Sequence, residues 1–277
     1  MPELPEVETV RRQLEPRLVG RRIVEAGSHW SDKFTPATAA TGHHLVGTGR
    51  RGKFLLLHLD DERELVVHLG MTGRLQVAEP EELRHPDAEA ERADDPYLRA
   101  WWQLDDGARL DFHDVRRFGR IRVVPTGDYS SIPALRTAGP EPWDPELDAR
   151  RFAELLAKSR RRLKTQLLSQ RPIAGVGNIY ADEALWLARI NPRTTRLSTE
   201  RAGRLLDAIR EVLERGLDNG GTTLRDYRDA AGQSGENQHS LAAYGRGGAP
   251  CLRCDEVLRS AVIDARTTTW CPVCQRR

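Results

Sequence analysis

At Gly139-Pro140 the hydrophobic period of this chain changes from strand-like to helical, and that change limits the fold more than any other feature. Ahead of it, from about Ile23 to Val124, apolar residues come in strand-sized runs at 53–59, 64–69, 98–104, 109–112 and 120–124. Glycine turns such as Gly70-Met71-Thr72-Gly73 separate several of them, the pattern of a β-sandwich or barrel. Beyond it the spacing is helical. Leu205, Leu206, Ile209, Val212, Leu213 and Leu217 mark one face of a long helix that Ser198 caps, and Asp144-Pro145 reads as an N-cap followed by proline at the first helical position. Leu4, Val7, Val10 and Leu14 add a first amphipathic helix ahead of the strands. The expectation is an α+β chain with three parts: a β-sandwich domain with an N-terminal helix at 2–130, a helical domain at 140–236, and a C-terminal module at 240–277 that holds all four cysteines. With 277 residues, the main domains can bury cores without disulfide staples.

Composition narrows the function classes. Hydrophobic residues make 39% and charged residues 30%, which excludes a disordered or membrane-embedded chain. The start, Met-Pro-Glu-Leu-Pro-Glu, lacks the basic flank and apolar stretch of a secretory signal, and no apolar run approaches the ~18 residues of a membrane span. We therefore expect a cytoplasmic protein with no membrane partner. A formal charge of +2 argues, taken alone, against a partner as acidic as nucleic acid. It is a cancellation: 79–95 carries a net −6 and reads as a solvated loop, whereas 150–215 carries +8 and 240–277 carries +3. Lysine is scarce: of 43 cationic residues only Lys33, Lys53, Lys158 and Lys164 are lysine, so a lysine here is the exception and its position carries information.

Cys251-x2-Cys254 and Cys271-x2-Cys274, sixteen residues apart, have the spacing of a tetrahedral four-cysteine zinc site on two knuckles joined by a hairpin. Zinc is favoured over two disulfides, which a reducing compartment would not keep, and over an iron site of the same geometry. One Zn2+ with no open position is structural. It stiffens a hairpin that bears Arg253, Arg259 and Arg266.

Pro2 follows the initiator Met, and processing would expose its secondary amine. An α-amino group has a pKa of about 8, far below the ~10.4 of lysine, so it is the most readily deprotonated amine nucleophile in the chain. Such an amine condenses with an aldehyde-level carbon to give an iminium. From these residues alone an ordinary helix start remains the better reading.

Further motifs change that balance. Pro2-Glu3-Leu4-Pro5-Glu6-Val7-Glu8-Thr9-Val10-Arg11-Arg12 is followed in order by Arg50-Arg51-Gly52-Lys53, His68-Leu69-Gly70-Met71-Thr72-Gly73, and Asp114-Val115-Arg116-Arg117-Phe118-Gly119. Then come Ala174-Gly175-Val176-Gly177-Asn178-Ile179-Tyr180-Ala181-Asp182-Glu183, Gly220-Gly221-Thr222-Thr223-Leu224, Tyr244-Gly245-Arg246 and the cysteine module. Over nearly its whole length the chain resembles the bacterial formamidopyrimidine-DNA glycosylases of the formamidopyrimidine/endonuclease VIII family.

The resemblance implies a helix-two-turn-helix element in the helical domain, a zinc ribbon at the C-terminus, and a bifunctional DNA glycosylase/AP lyase of base excision repair. The partner it implies is double-stranded DNA containing oxidised bases or abasic sites, met by a monomer in the bacterial cytoplasm, at the nucleoid in use. It assigns the Schiff-base nucleophile to Pro2, the general acid to Glu3, an organising carboxylate to Glu6 and a phosphate-contacting lysine to Lys53. Met71, Arg116 and Phe118 match the residues that fill the gap left by an extruded base. Asn178 and Arg266 match phosphate contacts, and Cys251, Cys254, Cys271 and Cys274 match the zinc ligands. The Met71, Arg116, Phe118 trio and the start Pro-Glu-Leu-Pro-Glu favour oxidised purines, formamidopyrimidines and 8-oxoguanine, over the oxidised pyrimidines and hydantoins of an endonuclease VIII-like enzyme. A zinc-ribbon damage binder without catalysis is a third reading, which Pro2, Glu3, Glu6 and Lys53 oppose. The lid segment 232–238 has Gly235-Glu236-Asn237 where Gly-Tyr-Phe is usual, and losing an aromatic pair while gaining an anion turns the expectation from 8-oxoguanine toward formamidopyrimidine or hydantoin lesions; Ser169 stands where Asp is usual, and no consequence is assigned to it.

Overall fold

The structure, a computed structural model, describes residues 1–84 and 95–276. Most of the acidic loop expected at 79–95 lies outside the described residues. The chain forms two compact units, one of Met1–Ser131 with Asn219–Glu236 and one of Ile132–Asp218 with Asn237–Arg277.

In the first unit, helix α1 (Leu4–Leu18) starts at a capping box in which Glu3 and Glu6 each accept the other's backbone N–H. Eight strands follow: β1 (Ile23–Ser28), β2 (Leu45–Arg51), β3 (Phe54–Leu59), β4 (Arg63–His68), β5 (Gly73–Ala78), β6 (Leu98–Leu104), β7 (Arg109–Asp114) and β8 (Arg120–Pro125). They make two four-stranded antiparallel sheets, ordered β1-β6-β7-β5 and β2-β3-β4-β8. Alternation sets the register: Leu55 lies opposite Val67 and Leu57 opposite Leu65, so all four face inward. That face shares one apolar core with Val7, Val10, Leu14 and Leu18 of α1, and with Trp102 and Phe112 of the other sheet. Each such side chain contributes about 1.5–3 kcal/mol by leaving water.

The second unit holds α2 (Ala149–Ala157), α3 (Leu163–Leu168), α4 (Asn178–Leu187), α5 (Thr199–Asp218) and a hairpin of β9 (Arg259–Ile263) and β10 (Arg266–Trp270). Ser198 caps α5 as expected, its Oγ accepting the Arg201 N–H at 3.3 Å. Asp144-Pro145 does not start a helix. Asp144 accepts the Glu146 N–H at 2.9 Å in a local turn, and α2 begins only after Asp148, which takes the Arg151 N–H at 2.7 Å. No described helix is long and apolar enough to cross a membrane.

One boundary differs from the sequence expectation. Residues 219–236, expected within the helical domain at 140–236, fold with the first unit. The cause is a buried carboxylate: Glu6 accepts the Thr222 N–H at 2.7 Å, and Tyr227 and Ala230 complete the sandwich core.

Candidate active site and metal centre

The capping box is more than a helix start. Glu3 and Glu6 are 2% and 1% exposed, unusual burial for two adjacent carboxylates. Glu6 has an amide at each oxygen, Glu3 N at Oε2 and Thr222 N at Oε1, both at 2.7 Å. The second of these needs Gly221. Its φ is +89°, and a Cβ there would lie 2.9 Å from Glu6 Cγ and 3.0 Å from the Tyr227 ring. Burial beside the Glu6 carboxylate raises the Tyr227 hydroxyl well above its ordinary range, so it stays a neutral donor, to Gly220 O at 3.2 Å. Pro2, at the head of the same helix, is buried and Met1 is exposed.

Lys53 sits in the tight turn between β2 and β3 and is 7% exposed. Arg50 braces this turn, donating to Gly52 O at 2.9 Å and pairing with Glu8 of α1 at 3.3 Å. Arg11 and Arg12 also pair with Glu8, and together the cations hold its carboxyl below the ordinary carboxylate range against the opposing effect of burial. Nearby His68 is pushed down to about 4, first by burial and then by the charges of Lys53 and Arg120. Its imidazole is neutral at pH 7, and Nδ1 accepts the Gly70 N–H at 3.2 Å.

Met71, Arg116 and Phe118 come together on two loops, 69–72 and 115–119. Met71 and Phe118 are 36% and 49% exposed, and the Arg116 guanidinium lies 5.0 Å from the Phe118 ring centre. One residue to which the sequence assigns no role explains their position. Asp114, fully buried, accepts from Thr72 Oγ1 and from Gly119 N, both at 2.6 Å, while Arg116 N donates to Thr72 Oγ1 at 3.0 Å. The loops touch at Gly70 (φ +67°), where a Cβ would lie 2.5 Å from Gly119 N. Beside them opens a cavity of about 350 Å3 lined by Thr72, Arg74, Arg116, Arg225, Asp226 and Arg228. The lid segment expected at 232–238 is divided: Gly235 N donates to Thr223 Oγ1 at 3.0 Å in the first unit, whereas Asn237 is buried in the second, its amide 3.5 Å from Tyr180 Oη.

In the second unit, Asn178 opens α4 after Gly177, and its Oδ1 is buried with no hydrogen-bond partner among the described residues. The preceding turn is set by Gln170, whose Oε1 accepts the Gly175 N–H at 2.7 Å and whose Nε2 donates to Val176 O. Arg266 is exposed at the start of β10. Between them lies an ion pair that sequence reasoning misses. Lys164 Nζ meets Asp182 Oδ1 at 2.7 Å with both side chains 1% exposed, then donates to Thr267 O at 2.8 Å, while Asp182 Oδ2 takes the Thr269 N–H at 3.0 Å. Asp182 lies one turn along α4 from Asn178, and Thr267 follows Arg266, so this pair fixes the two side chains relative to each other. Burial pushes the Asp182 carboxyl up to about 6, against the pull of Lys164.

The four cysteine sulfurs lie within 4.8 Å of one another, with Cys254 Sγ 3.5 Å from Cys271 Sγ and 3.4 Å from Cys274 Sγ. Four thiolates at Zn–S distances of about 2.3 Å would form a tetrahedron with edges near 3.8 Å, so the residues fit the ion. Burial and neighbouring thiols push Cys274 up to about 12, and Cys271 upward as well, so a complete thiolate set needs a cation at its centre. The Trp186 indole N–H points at Cys251 Sγ at 3.4 Å. Arg253 stacks 3.9 Å from the centre of that indole and donates to the last carbonyls of α4, Trp186 O and Leu187 O, at 2.7 and 3.0 Å.

The chain belongs to the formamidopyrimidine-DNA glycosylase family. The family's N-terminal domain matches residues 1–121, its H2TH domain residues 138–228, and the zinc finger found in FPG and IleRS residues 248–277. The chain is 44% identical to the formamidopyrimidine-DNA glycosylase of Deinococcus radiodurans over 99% of its own length and 97% of the relative. The solved MutM (Fpg) protein of Thermus thermophilus is 42% identical, with a TM-score of 0.88 over 99% of this chain and 98% of that one. A Lactococcus lactis FPG mutant in complex with Fapy-dG-containing DNA is 34% identical, with a TM-score of 0.87 over the whole of both chains. The ribbon accordingly holds one structural zinc.

Proposed function

We propose that the protein is a bifunctional DNA glycosylase and AP lyase that removes oxidised purines, formamidopyrimidines above all, from duplex DNA. The observation that carries this reading is the buried pair Glu3 and Glu6 at the amine-bearing end of α1. Burying two carboxylates costs desolvation that their hydrogen bonds must offset, and such buried titratable groups cluster at functional sites. After removal of Met1, the Pro2 nitrogen attacks C1′ of the damaged nucleotide and the bond from C1′ to the base breaks. Glu3 delivers a proton to the sugar ring oxygen as the ring opens and the iminium forms. Loss of a C2′ proton then expels the 3′ phosphate, and δ-elimination expels the 5′ phosphate. Glu6, with an amide on each oxygen, holds the helix start and the 220–223 segment in place.

Lys53, in its braced turn, grips the phosphates beside the lesion. Met71, Arg116 and Phe118 enter the stack, and the loop lock at Asp114 supplies the stiffness a wedge needs to kink a duplex. Asn178 and Arg266 hold backbone phosphate from the second unit. Relatives have been solved with Fapy-dG DNA, with abasic-site DNA and with oxidised-pyrimidine DNA, and the last supports some activity on pyrimidine lesions. The protein works as a cytoplasmic monomer at the nucleoid.

Borohydride trapping on duplexes carrying formamidopyrimidine, 8-oxoguanine or thymine glycol tests this. A covalent adduct through Pro2 is expected with formamidopyrimidine, and Glu3→Gln should slow base release by about 10² to 10⁴. No adduct with any of the three duplexes refutes the enzyme, and adducts confined to thymine glycol transfer it to the endonuclease VIII-like reading.

A further inference from the structure

The second unit has a cavity of about 400 Å3 between the end of α2, the turn into α3 and the 169–172 segment. Lys158, Arg161 and Arg171 stand in its wall, and the wall contains no carboxylate. Among the described residues none of the three has an ion-pair partner, whereas Arg150, Arg162, Arg204 and Arg215 of the same unit do. Lys158 is also one of only four lysines in the chain.

The recess is preformed. Gln166, 2% exposed, donates Nε2 to Ser159 O at 3.3 Å and to Arg161 O at 2.7 Å, fixing the turn that carries two of the cations. Ser169 Oγ donates to Gln166 O at 2.6 Å and accepts the Arg171 N–H at 3.4 Å, placing the third. Gly139 lets the chain pack beneath, since a Cβ there would lie 2.3 Å from Arg171 O. Three exposed cations without ion-pair partners, carried on a braced backbone around one polar recess, favour an oxyanion.

The neighbourhood identifies the anion. Ser169 and Arg171 flank Gln170, whose side chain holds the Gly175-Val176 turn leading into Asn178. The recess and the Asn178 end of α4 are therefore one braced piece. We propose that Lys158, Arg161 and Arg171 hold a further phosphodiester of the DNA backbone, separate from the phosphates gripped by Asn178 and Arg266. This rests on the reading of the protein as a DNA enzyme, and it adds a backbone contact to those that Asn178 and Arg266 make from the same unit.

The test is salt-titrated binding to an undamaged duplex. Relative to the wild type, the K158A/R161A/R171A variant should bind about ten-fold more weakly near 0.1 M salt. Its slope of log K against log salt should be shallower by about 0.9 for each phosphate that the variant no longer neutralises. Ser169→Asp, which puts a carboxylate into the wall, should shift binding the same way, and the neutral Ser169→Asn should not. An unchanged slope in the triple variant, with a wild-type circular dichroism spectrum, overturns the proposal. Acetylation of Lys158 should be blocked by the duplex; blocking by inorganic phosphate but not by the duplex would assign the recess to free phosphate and overturn it as well. Borohydride trapping with the wild-type protein reports separately on the glycosylase reading, because the slope comparison uses DNA without a lesion.

Discussion

Lys164 and Asp182 show how one residue pair disciplines a surface it never reaches. Two charges that are each 1% exposed would be costly alone, and here each has a second duty, Lys164 on Thr267 O and Asp182 on Thr269 N. Lys164→Met should cost about 3–5 kcal/mol in denaturant unfolding of the second unit, since it strands a buried carboxylate. Adding Asp182→Asn should recover most of that loss; equal destabilisation by the single and double variants would show that the pair does not act as a unit. The scarcity of lysine is a signal for this site, yet it points first to Lys53, because only Lys53 lies in a motif that the resemblance explains. Asp114 is legible as a motif member but not as a lock, since nothing in the sequence states that Thr72 and Gly119 converge on one carboxylate.

At the level of elements, strands that carry continuous apolar runs are readable and those with glycines are not. The apolar runs mark β3, β4, β6, β7 and β8 close to their observed limits, whereas β1, β2 and β5 do not stand out. Gly27 of β1 looks like a breaker, yet it lies opposite Trp101 of β6, and a Cβ there would be 2.5 Å from the indole. Across a sheet a glycine can be a slot for a ring, and that is a property of two strands together. The zinc ribbon is readable in full, because four ligands at fixed spacing leave few geometries. Its attachment is not: the indole of Trp186 aimed at Cys251 Sγ, with Arg253 stacked on it, arises only once α4 and the knuckle meet. Trp186→Phe keeps the packing and removes the N–H. It should weaken zinc affinity by about 10-fold or more, measured as faster transfer of the metal to a chromogenic chelator. Transfer at the wild-type rate would mean that the indole only fills space.

At the scale of the whole molecule, the chain leaves the first unit after Ser131 and returns to it from Asn219 to Glu236. The sequence marks the end of α5 at Asn219-Gly220-Gly221 but hides the return, because nothing in 219–236 states that Thr222 meets Glu6 and that Tyr227 and Ala230 join the sandwich core. A fragment of residues 1–131 would leave Glu6 without its Thr222 partner and lack Tyr227 and Ala230 in the core. It should be less stable than the same fragment joined by a flexible linker to residues 219–236, by at least about 2 kcal/mol for the unsatisfied carboxylate alone. Equal melting of the two would mean that the return is dispensable.

The same return sets an order of events during synthesis. Chains emerge from the ribosome N-terminus first, and domains commonly fold as they appear. Glu3 and Glu6 are among the first residues made, but the second of the two amides that orient Glu6 belongs to Thr222 and is translated only after α5. A nascent chain with every strand of the sandwich complete would still have an unfinished reaction centre, so the proposed amine chemistry is withheld from the cell until nearly the whole polypeptide has been made.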